Sequence, residues 1–260
     1  MKSLDLLKYL SRISMALQLV FWLIVFMVFY KIMGPSLKIV QAINHFEQRY
    51  YSIDYNSKEN VVSYKETKEL PKNWIPLKQI SKRAISAIVV SEDGKFFNHP
   101  GYDIEQIQKV MTDKFYYHKK KVRGASTITQ QLIKNVYLTK EKSLGRKVKE
   151  FYFATLIEEK ASKEKILETY LNVIEYGKGI YGIENASQYY FKKSARYLNA
   201  KEAAFLAMLL PSPVKYSKSF KQRSLTPFAS SIINSVLLKM KQAGHIGEEE
   251  YLNSMRLVIT

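Results

Sequence analysis

One stretch of the chain combines helix signals with a dense polar set: Gly124-Ala125-Ser126-Thr127-Ile128-Thr129-Gln130-Gln131-Leu132-Ile133-Lys134-Asn135. Thr127 and Gln130 have capping-box spacing, which predicts a helix that runs to about Leu138. The free N–H groups and the dipole at the start of such a helix attract phosphate. An ordinary capped helix with an exposed polar side is the alternative, but the crowding of hydroxyl and amide side chains favours a binding site.

A second polar stretch lies upstream: Ser91-Glu92-Asp93-Gly94-Lys95-Phe96-Phe97-Asn98-His99-Pro100-Gly101-Tyr102-Asp103. Its acids Glu92 and Asp93 follow a predicted helix, and such pairs are usually solvated or bind nearby donors. The neighbouring phenylalanines can shield a carboxylate from water, which raises a carboxyl pKa toward the range useful for a general base. His99 and Asp103 are expected to hold the turn.

Charge and composition limit the classes of function. The chain has 260 residues with 41 Lys+Arg against 23 Asp+Glu, a net charge of +18. This excess predicts an anionic partner, which charge alone leaves open among nucleic acid, anionic lipid and a phosphate-bearing substrate. The absence of cysteine from the sequence excludes a disulfide framework, cysteine-ligated zinc and a thiol nucleophile.

The N-terminus predicts a membrane anchor. Residues 13–30 contain no charged side chain, a run long enough to span the hydrocarbon core. Basic residues before it predict a cytoplasmic N-terminus and an external main domain. A cleaved signal peptide is the alternative, but the run is long for one and no A-x-A site follows. The predicted organisation is a cytoplasmic segment 1–12, a transmembrane anchor 13–33, a stalk 34–75 and a main domain 76–250.

The main domain is predicted to be mainly α-helical. Apolar residues recur at helical spacing, and strand signals are sparse. The predicted helices cover 81–91, 102–115, 127–138, 143–160, 166–174, 200–210 and 228–243. The repeat Gly177-Lys178-Gly179-Ile180-Tyr181-Gly182 spells G-x-G-x-x-G, but a helix precedes it where a dinucleotide site needs a strand, so we exclude that interpretation.

A third polar cluster lies on the predicted helix 143–160 and just before it. Lys142, Arg146, Lys149 and Glu150 fall on one helical face, with Lys147 beside it. A solvated charged face stabilised by i,i+4 pairs is the usual explanation. The alternative is a cationic cradle for pyrophosphate with one acid set inside it.

In combination these segments resemble the motifs of glycosyltransferase family 51, the peptidoglycan glycosyltransferases. The first three motifs correspond to Glu92–Asp103, Gly124–Asn135 and Arg146–Glu150. A fourth runs from Ile166 to Gly177 and on to Phe191, and a weaker fifth involves Val236, Leu237, Met240, Gly244 and Ile246. The resemblance covers about Pro76 to Ile246. The S-D-N and K-T-G motifs of a transpeptidase do not occur in the sequence, so the chain looks like a monofunctional biosynthetic transglycosylase.

The resemblance implies a fold and a location. It implies a lysozyme-like helical domain with a small lobe at the membrane, in a single-pass protein of the bacterial cytoplasmic (inner) membrane. Val110, Met111 and Phe115–Tyr117, followed by the basic run His118–Lys121, are the expected membrane contact, and a surface loop is the alternative. Two departures concern peripheral substrate contacts: Lys109-Val110 and Ser230-Ser231-Ile232-Ile233 stand where family members commonly carry arginine.

The resemblance also implies a reaction: the growing lipid-pyrophosphate-linked glycan passes to the 4-hydroxyl of lipid II with inversion, and polyprenyl pyrophosphate leaves. Glu92 is the expected general base, and Glu150 orients cations or stabilises oxocarbenium character. The expected substrate-binding residues are Asp93, Ser126, Thr127, Gln130, Gln131, Lys134, Asn135, Lys142, Arg146 and Lys147.

The implied partners are lipid II, the growing glycan, the membrane and proteins of wall synthesis or division, with no nucleic acid. The family implies assistance from Mg²⁺ or Mn²⁺ and no organic cofactor, and no dedicated metal cage is visible in the sequence. Two other functions stay open at this point. A lysozyme-like wall hydrolase would also use two carboxylates. A tethered, non-enzymatic binder of anionic wall polymer would explain the charge and would not need Glu92.

Overall fold

The most deeply buried helix is α9 (Ala200–Leu209), in which every residue except Glu202 is buried. Its alanine-rich sequence lets α3 (Lys82–Glu92) and α11 (Pro227–Gln242) pack closely against it. Asn199 and Glu202 form a complete capping box at its start. This helix therefore lies at the centre of the core and positions α3 and α11, which carry part of the site.

The computed structural model describes residues 2–33, 36–116, 124–139, 141, 143–220 and 225–259. Helices dominate these residues, which confirms the mainly α-helical prediction. The other helices are α1 (Lys2–Met33), α2 (Leu37–Asn44), α4 (Ile104–Met111), α5 (Ile128–Tyr137), α6 (Leu144–Lys160), α7 (Lys163–Val173), α8 (Ile183–Phe191), α10 (Pro213–Tyr216) and α12 (Glu248–Arg256). A π-helical turn, Thr112–Tyr116, continues α4.

Part of the segment predicted as a stalk, 34–75, belongs to the folded core. Strand β1 (Tyr50–Asn56) pairs antiparallel with β2 (Val61–Thr67), so that Tyr50 lies opposite Thr67. Ile43, Phe46 and Tyr51 are buried in the same core as the later helices. The tyrosine-rich strands hide the usual alternation of apolar and polar residues, because each tyrosine has an apolar ring and a polar tip.

Helix α7 holds the end of this segment by hydrogen bonds. The Asn172 side chain accepts from Ile75 N at 2.9 Å and donates to Ile75 O at 2.9 Å. Glu168 accepts from Trp74 Nε1 at 2.9 Å and from Leu77 N at 2.8 Å. These contacts form a clamp that fixes the chain where it enters the helical domain, and we call it the α7 clamp.

The G-x-G-x-x-G segment 177–182 contains the turn of a tight hairpin, which joins β3 (Glu175–Gly177) to β4 (Ile180–Tyr181). Gly182 follows it with a φ of +82°, and a Cβ there would lie 2.6 Å from Asn172 O. Only glycine allows both this conformation and this close approach. The repeat thus connects α7 to α8.

Helix α1 is 32 residues long, and every residue from Ser14 to Tyr30 is exposed. No helix in the described part of the chain is both long and apolar enough to cross a bilayer. The predicted anchor therefore stays a prediction. Of the predicted membrane contact, residues 117–121 lie outside the described residues, while the apolar side chain of Met111 is exposed.

We expect Asn172→Ala to lower the free energy of unfolding by about 2–4 kcal/mol, because it leaves the buried backbone groups of Ile75 without partners. Chemical unfolding of the detergent-solubilised chain, followed by circular dichroism, measures this. Asn253→Ala, at an exposed position of α12, is the matched control and should change stability by less than about 0.5 kcal/mol. Equal stability of the two variants would contradict a stabilising role for the clamp.

Candidate functional site

Glu92 is the last residue of α3 and is half-buried. Its Oε2 accepts a hydrogen bond from Gln131 Nε2 at 2.8 Å. The Gln131 Oε1 atom in turn accepts from the Tyr170 hydroxyl at 3.0 Å. Residues from α3, α5 and α7 therefore form one chain of hydrogen bonds that ends on the predicted base.

Glu92 lines two clefts. One cleft, of about 460 Å³, lies toward α4 and is lined by Val90, Glu92, Gly94, Lys95, Asp103, Glu105, Gln106, Lys109, Val110 and Asp113. The second, of about 520 Å³, lies toward α11 and is lined by Ser91, Glu92, Gly124, Ser126, Gln131, Pro211, Ser231, Ile232, Ser235, Val236 and Lys239. A carboxylate at the junction of two clefts can contact two substrates at the point where they react.

Asp93, predicted to bind substrate, is buried and contacts protein groups. It accepts from Ile128 N at 2.9 Å, and His99 Nε2 lies 2.9 Å from its Oδ1. The other ring nitrogen of His99 accepts from Gly101 N at 3.2 Å. Since that nitrogen is an acceptor, Nε2 carries the proton and donates to Asp93. Asp93 therefore joins the first motif to the start of α5.

Thr127 caps α5 and makes a second connection. Its Oγ1 accepts from Gln130 N at 3.2 Å and donates to Gly101 O at 2.7 Å. Gly101 has a φ of +90°, and a Cβ there would lie 2.7 Å from Ala154 O on α6. The predicted helix start is confirmed, and Thr127 holds two motifs together. Asp103 likewise caps α4 by accepting from Gln106 N.

The third motif forms a compact charged cluster on α6. Lys147 Nζ donates to Glu150 Oε2 at 2.8 Å, to Ser126 Oγ at 3.0 Å and to Gln130 Oε1 at 3.2 Å. Arg146 Nε lies 3.4 Å from Glu150 Oε1. Glu150 is buried between these cations, and so it can orient both of them. The structure thus brings the second and third motifs together.

Lys134 lies half-buried on α5, within the field of this cluster. Burial is the main reason that the pKa of Lys134 is lowered. The negative charge of Glu150 opposes that change, the positive charges of Arg146 and Lys147 add to it, and Glu92 opposes it again. Lys134 is therefore close enough to both Glu92 and the charged residues of α6 for each to change its pKa. Asn135 follows it and is half-buried, whereas Lys142 lies outside the described residues.

A partly buried network that the sequence did not reveal links α5, α6, α7 and the first motif. Thr129 Oγ1 donates to Glu158 Oε1 at 2.5 Å, and Lys163 Nζ donates to the same oxygen at 2.8 Å. Lys163 also donates to His99 O at 2.6 Å and lies 4.4 Å from the centre of the Phe96 ring. Phe96 is therefore part of the core, while its neighbour Phe97 is exposed. Glu158 and Lys163 lie on different helices, so no local spacing links them.

The acidic residues of the site that the structure describes bind protein groups. Within the described ranges, no group of three or more His, Asp or Glu side chains is arranged to hold a metal ion. Asp93 accepts from His99 and Ile128, and Glu150 is paired with cations.

Known proteins resemble this chain in sequence. A family model described as Transglycosylase matches residues 58–241, so the chain belongs to the transglycosylase family. A relative from Bdellovibrio bacteriovorus, named biosynthetic peptidoglycan transglycosylase, is 47% identical over 145 residues, which are 56% of this chain and 57% of that protein. A protein of the same name from Aeromonas hydrophila is 38% identical over 178 residues, which are 68% of this chain and 73% of that protein.

Among solved structures, the crystal structure of penicillin-binding protein 1A from Haemophilus influenzae aligns with 82% of this chain and 21% of that chain. The sequence identity is 19% and the TM-score is 0.40.

We expect Gly101→Ala to lower the free energy of unfolding by about 2 kcal/mol or more, because the new Cβ combines an unfavourable φ with a backbone clash. The matched control is Gly247→Ala, at a glycine with a φ of −79° and no atom within 4 Å of the place that the new methyl group would take. Thermal unfolding of the two variants compares them directly. If both unfold at the wild-type temperature, the contact between Gly101 and α6 is not needed.

Proposed function

We propose that this protein is a peptidoglycan glycosyltransferase that polymerises glycan strands from lipid II. One observation carries the proposal: Glu92 lines two clefts, and the cations Lys134, Arg146 and Lys147 are grouped beside it around Glu150. A base between two substrates and fixed positive charge beside it are what transfer from a pyrophosphate donor requires. Membership of the transglycosylase family and the names of the relatives support the same activity.

The proposed reaction is a single displacement. Glu92 removes the proton of the acceptor 4-hydroxyl as that oxygen attacks C1 of the growing glycan. The bond between C1 and the pyrophosphate oxygen breaks with inversion, and polyprenyl pyrophosphate leaves with the electron pair. Glu92 afterwards returns its proton to solvent. A positioned base contributes about 10²–10⁴-fold to such a reaction.

Charge stabilisation is the second part of the mechanism. Lys134, Arg146 and Lys147 bind the pyrophosphate, where negative charge develops as the bond breaks. Glu150 orients Arg146 and Lys147 by its ion pairs, which supports the first of its two predicted roles. A divalent ion, if present, would add positive charge beside the pyrophosphate, next to that of Lys134, Arg146 and Lys147.

The other predicted binding residues fall into two groups. Ser126, Gln130 and Gln131 line the site or contact residues that do, and in our proposal they shape the sugar and phosphate positions. Asp93 and Thr127 act through structure, because their polar atoms join the motifs to one another.

The location is also part of the proposal. We propose that residues 13–33 anchor the protein in the cytoplasmic membrane of a bacterium, with the N-terminus inside and a lysozyme-like catalytic domain outside. The exposed apolar side chains from Met15 to Tyr30 support an apolar environment for this helix. Lipid II is a membrane lipid, so an anchor would keep the site beside its substrate. Wall-synthesis and division proteins are the proposed partners.

We expect Glu92→Gln to reduce polymerisation at least about 100-fold, because the amide cannot accept the hydroxyl proton. The assay follows labelled lipid II into polymer with the detergent-solubilised chain and a divalent cation present. Glu159→Gln, at an exposed position of α6, is the matched control and should keep full activity.

The outcomes of this assay separate the functions. Polymer from wild type and Glu159→Gln, but not from Glu92→Gln, supports the transferase. No polymer from folded wild-type protein contradicts it, and cleavage of finished wall instead would identify a hydrolase. Binding of anionic wall polymer that survives in Glu92→Gln, without any turnover, would identify a binder.

We expect Lys134→Met to lose activity and gain stability. Loss of one fixed charge at the pyrophosphate should reduce turnover by about 10²–10³-fold. Burial lowers the pKa of Lys134, so its charged form opposes folding, and methionine removes that cost. The Lys134 ammonium group has a lower pKa in the folded protein than in the unfolded chain, where it is 10.5. Between these two pKa values the unfolded chain binds more protons, so the wild-type protein becomes more stable as the pH rises through this range.

Thermal unfolding at a series of pH values, beside the turnover assay, checks both parts. The stability gain of Lys134→Met should be largest at neutral pH and should shrink in alkaline buffer. Lys160→Met, at the exposed end of α6, serves as the matched control with unchanged turnover and no such gain. An active Lys134→Met variant would remove this residue from the pyrophosphate site.

A further inference from the structure

Tyr170 contributes a hydroxyl to the site although its side chain is fully buried. It lies on α7, where the neighbouring residues Leu167, Leu171 and Val173 are also buried in the core. The hydroxyl donates a hydrogen bond to Oε1 of Gln131, on α5, at 3.0 Å. Because the Tyr170 side chain is fully buried behind Gln131, it cannot contact substrate. Any role in the reaction must therefore pass through Gln131.

The Gln131 amide can serve Glu92 in only one of its two orientations. An ionised carboxylate accepts hydrogen bonds and donates none, so the amide must present its NH₂ group to Glu92. The opposite orientation would place the amide oxygen against the carboxylate oxygen. The contact of 2.8 Å between Gln131 Nε2 and Glu92 Oε2 is the favourable one. Something must hold the amide in this orientation, because its two ends have nearly the same shape.

The Tyr170 hydroxyl is suited to that task. Burial above all, and then the nearby Glu92, raise the pKa of Tyr170 well above its ordinary value. The hydroxyl thus stays protonated at any working pH and donates to the amide oxygen. The α7 clamp fixes the same helix from its other side through Glu168 and Asn172, so Tyr170 has little freedom to move.

We propose that Tyr170 is a positioning residue for the reaction: it locks the Gln131 amide so that its NH₂ group orients the Glu92 carboxylate toward the acceptor hydroxyl. This rests on the proposed function for the role of Glu92 as the base. Gln131 was predicted from the sequence as a substrate-binding residue, and in this arrangement it is also the link between the core and the base.

Other charged and titratable groups also face Glu92, and a change in its titration must be judged against them. They come from every element around it: Asp93 on its own turn, Lys134 on α5, Tyr176 on β3, Lys239 on α11, and Lys95, Asp103, Glu105, Lys109 and Asp113 along the cleft toward α4. A Tyr170→Phe substitution changes none of these groups. It removes one hydroxyl oxygen and keeps the ring that fills the core.

The matched control is Tyr176→Phe. Tyr176 is equally buried and its hydroxyl lies close enough to Glu92 for the carboxylate to raise its pKa, after the larger effect of burial. Within the described residues, however, this hydroxyl makes no hydrogen bond. Both variants therefore remove a buried hydroxyl near Glu92, and only one of them releases the Gln131 amide.

We expect Tyr170→Phe to lower kcat for lipid II polymerisation about tenfold while KM changes less than about twofold, because positioning is lost and binding is kept. The acidic limb of the pH–kcat/KM profile should move upward by about half to one pH unit, since a flipped amide no longer favours the ionised carboxylate. Tyr176→Phe should leave kcat, KM and the acidic limb at their wild-type values.

A double-mutant cycle shows whether Tyr170 acts through Gln131. In a Gln131→Met background the amide is gone, so adding Tyr170→Phe should change kcat by less than about twofold. Multiplication of the two separate effects would overturn the proposal, as would wild-type kcat and pH profile in Tyr170→Phe. A purely structural role would lower the unfolding temperature and the amount of active enzyme without moving the acidic limb, and this outcome would also overturn it.

A titration without substrate separates this proposal from the proposed function. Carbon-13 NMR of glutamate-labelled protein follows the Glu92 carboxyl, identified by the resonance that Glu92→Gln lacks. The pKa of Glu92 should be higher in Tyr170→Phe than in wild type or Tyr176→Phe. If wild type fails to polymerise lipid II, the transferase proposal fails. The titration still shows whether Tyr170 orients the Gln131 amide toward Glu92. Equal titration of Glu92 in all three proteins would overturn it.

Discussion

The site depends on one buried carboxylate, Asp93. By accepting from His99 and from Ile128 N, it ties the end of α3 to the start of α5. A buried charge without such partners would cost several kcal/mol, so the two donors and the acid require each other. Because Glu92 is adjacent to Asp93 in the chain, these hydrogen bonds also fix the position of Glu92, the proposed base. The dipole of α5 adds to the effect, since its positive end faces the carboxylate.

Helix α7 has two functions that lie on different sides of it. One side carries the α7 clamp, which holds the chain between Trp74 and Leu77. The other carries the Tyr170 hydroxyl toward Gln131 and Glu92. The fourth motif is therefore mainly structural: one helix binds the segment Trp74–Leu77 on one side and Gln131, the partner of Glu92, on the other. Polar groups that are satisfied on both sides give the helix a single well-defined position.

The predictions from sequence succeeded where the interaction is local. The start of α5 at Thr127 is confirmed, because a capping side chain bonds to a backbone group three residues away. The helix predicted over 102–115 begins later, at Ile104, with Asp103 as its cap. The cluster of Arg146, Lys147 and Glu150 follows from helical spacing for the same reason. The hairpin β1–β2 was not foreseen, because strand pairing depends on a partner and on burial that propensity does not contain.

The sequence by itself determined the helical class, the family motifs and the set of polar groups available for chemistry. Only the tertiary structure decided which of them face the clefts and which hold the core. The hydrogen bonds that make this difference join residues far apart in the chain. The partners are 35 residues apart for Asp93 and Ile128, 39 for Glu92 and Gln131, and 94 for Trp74 and Glu168. Such pairs leave no periodic signal, since they arise from the packing of α3, α5 and α7 around a shared core.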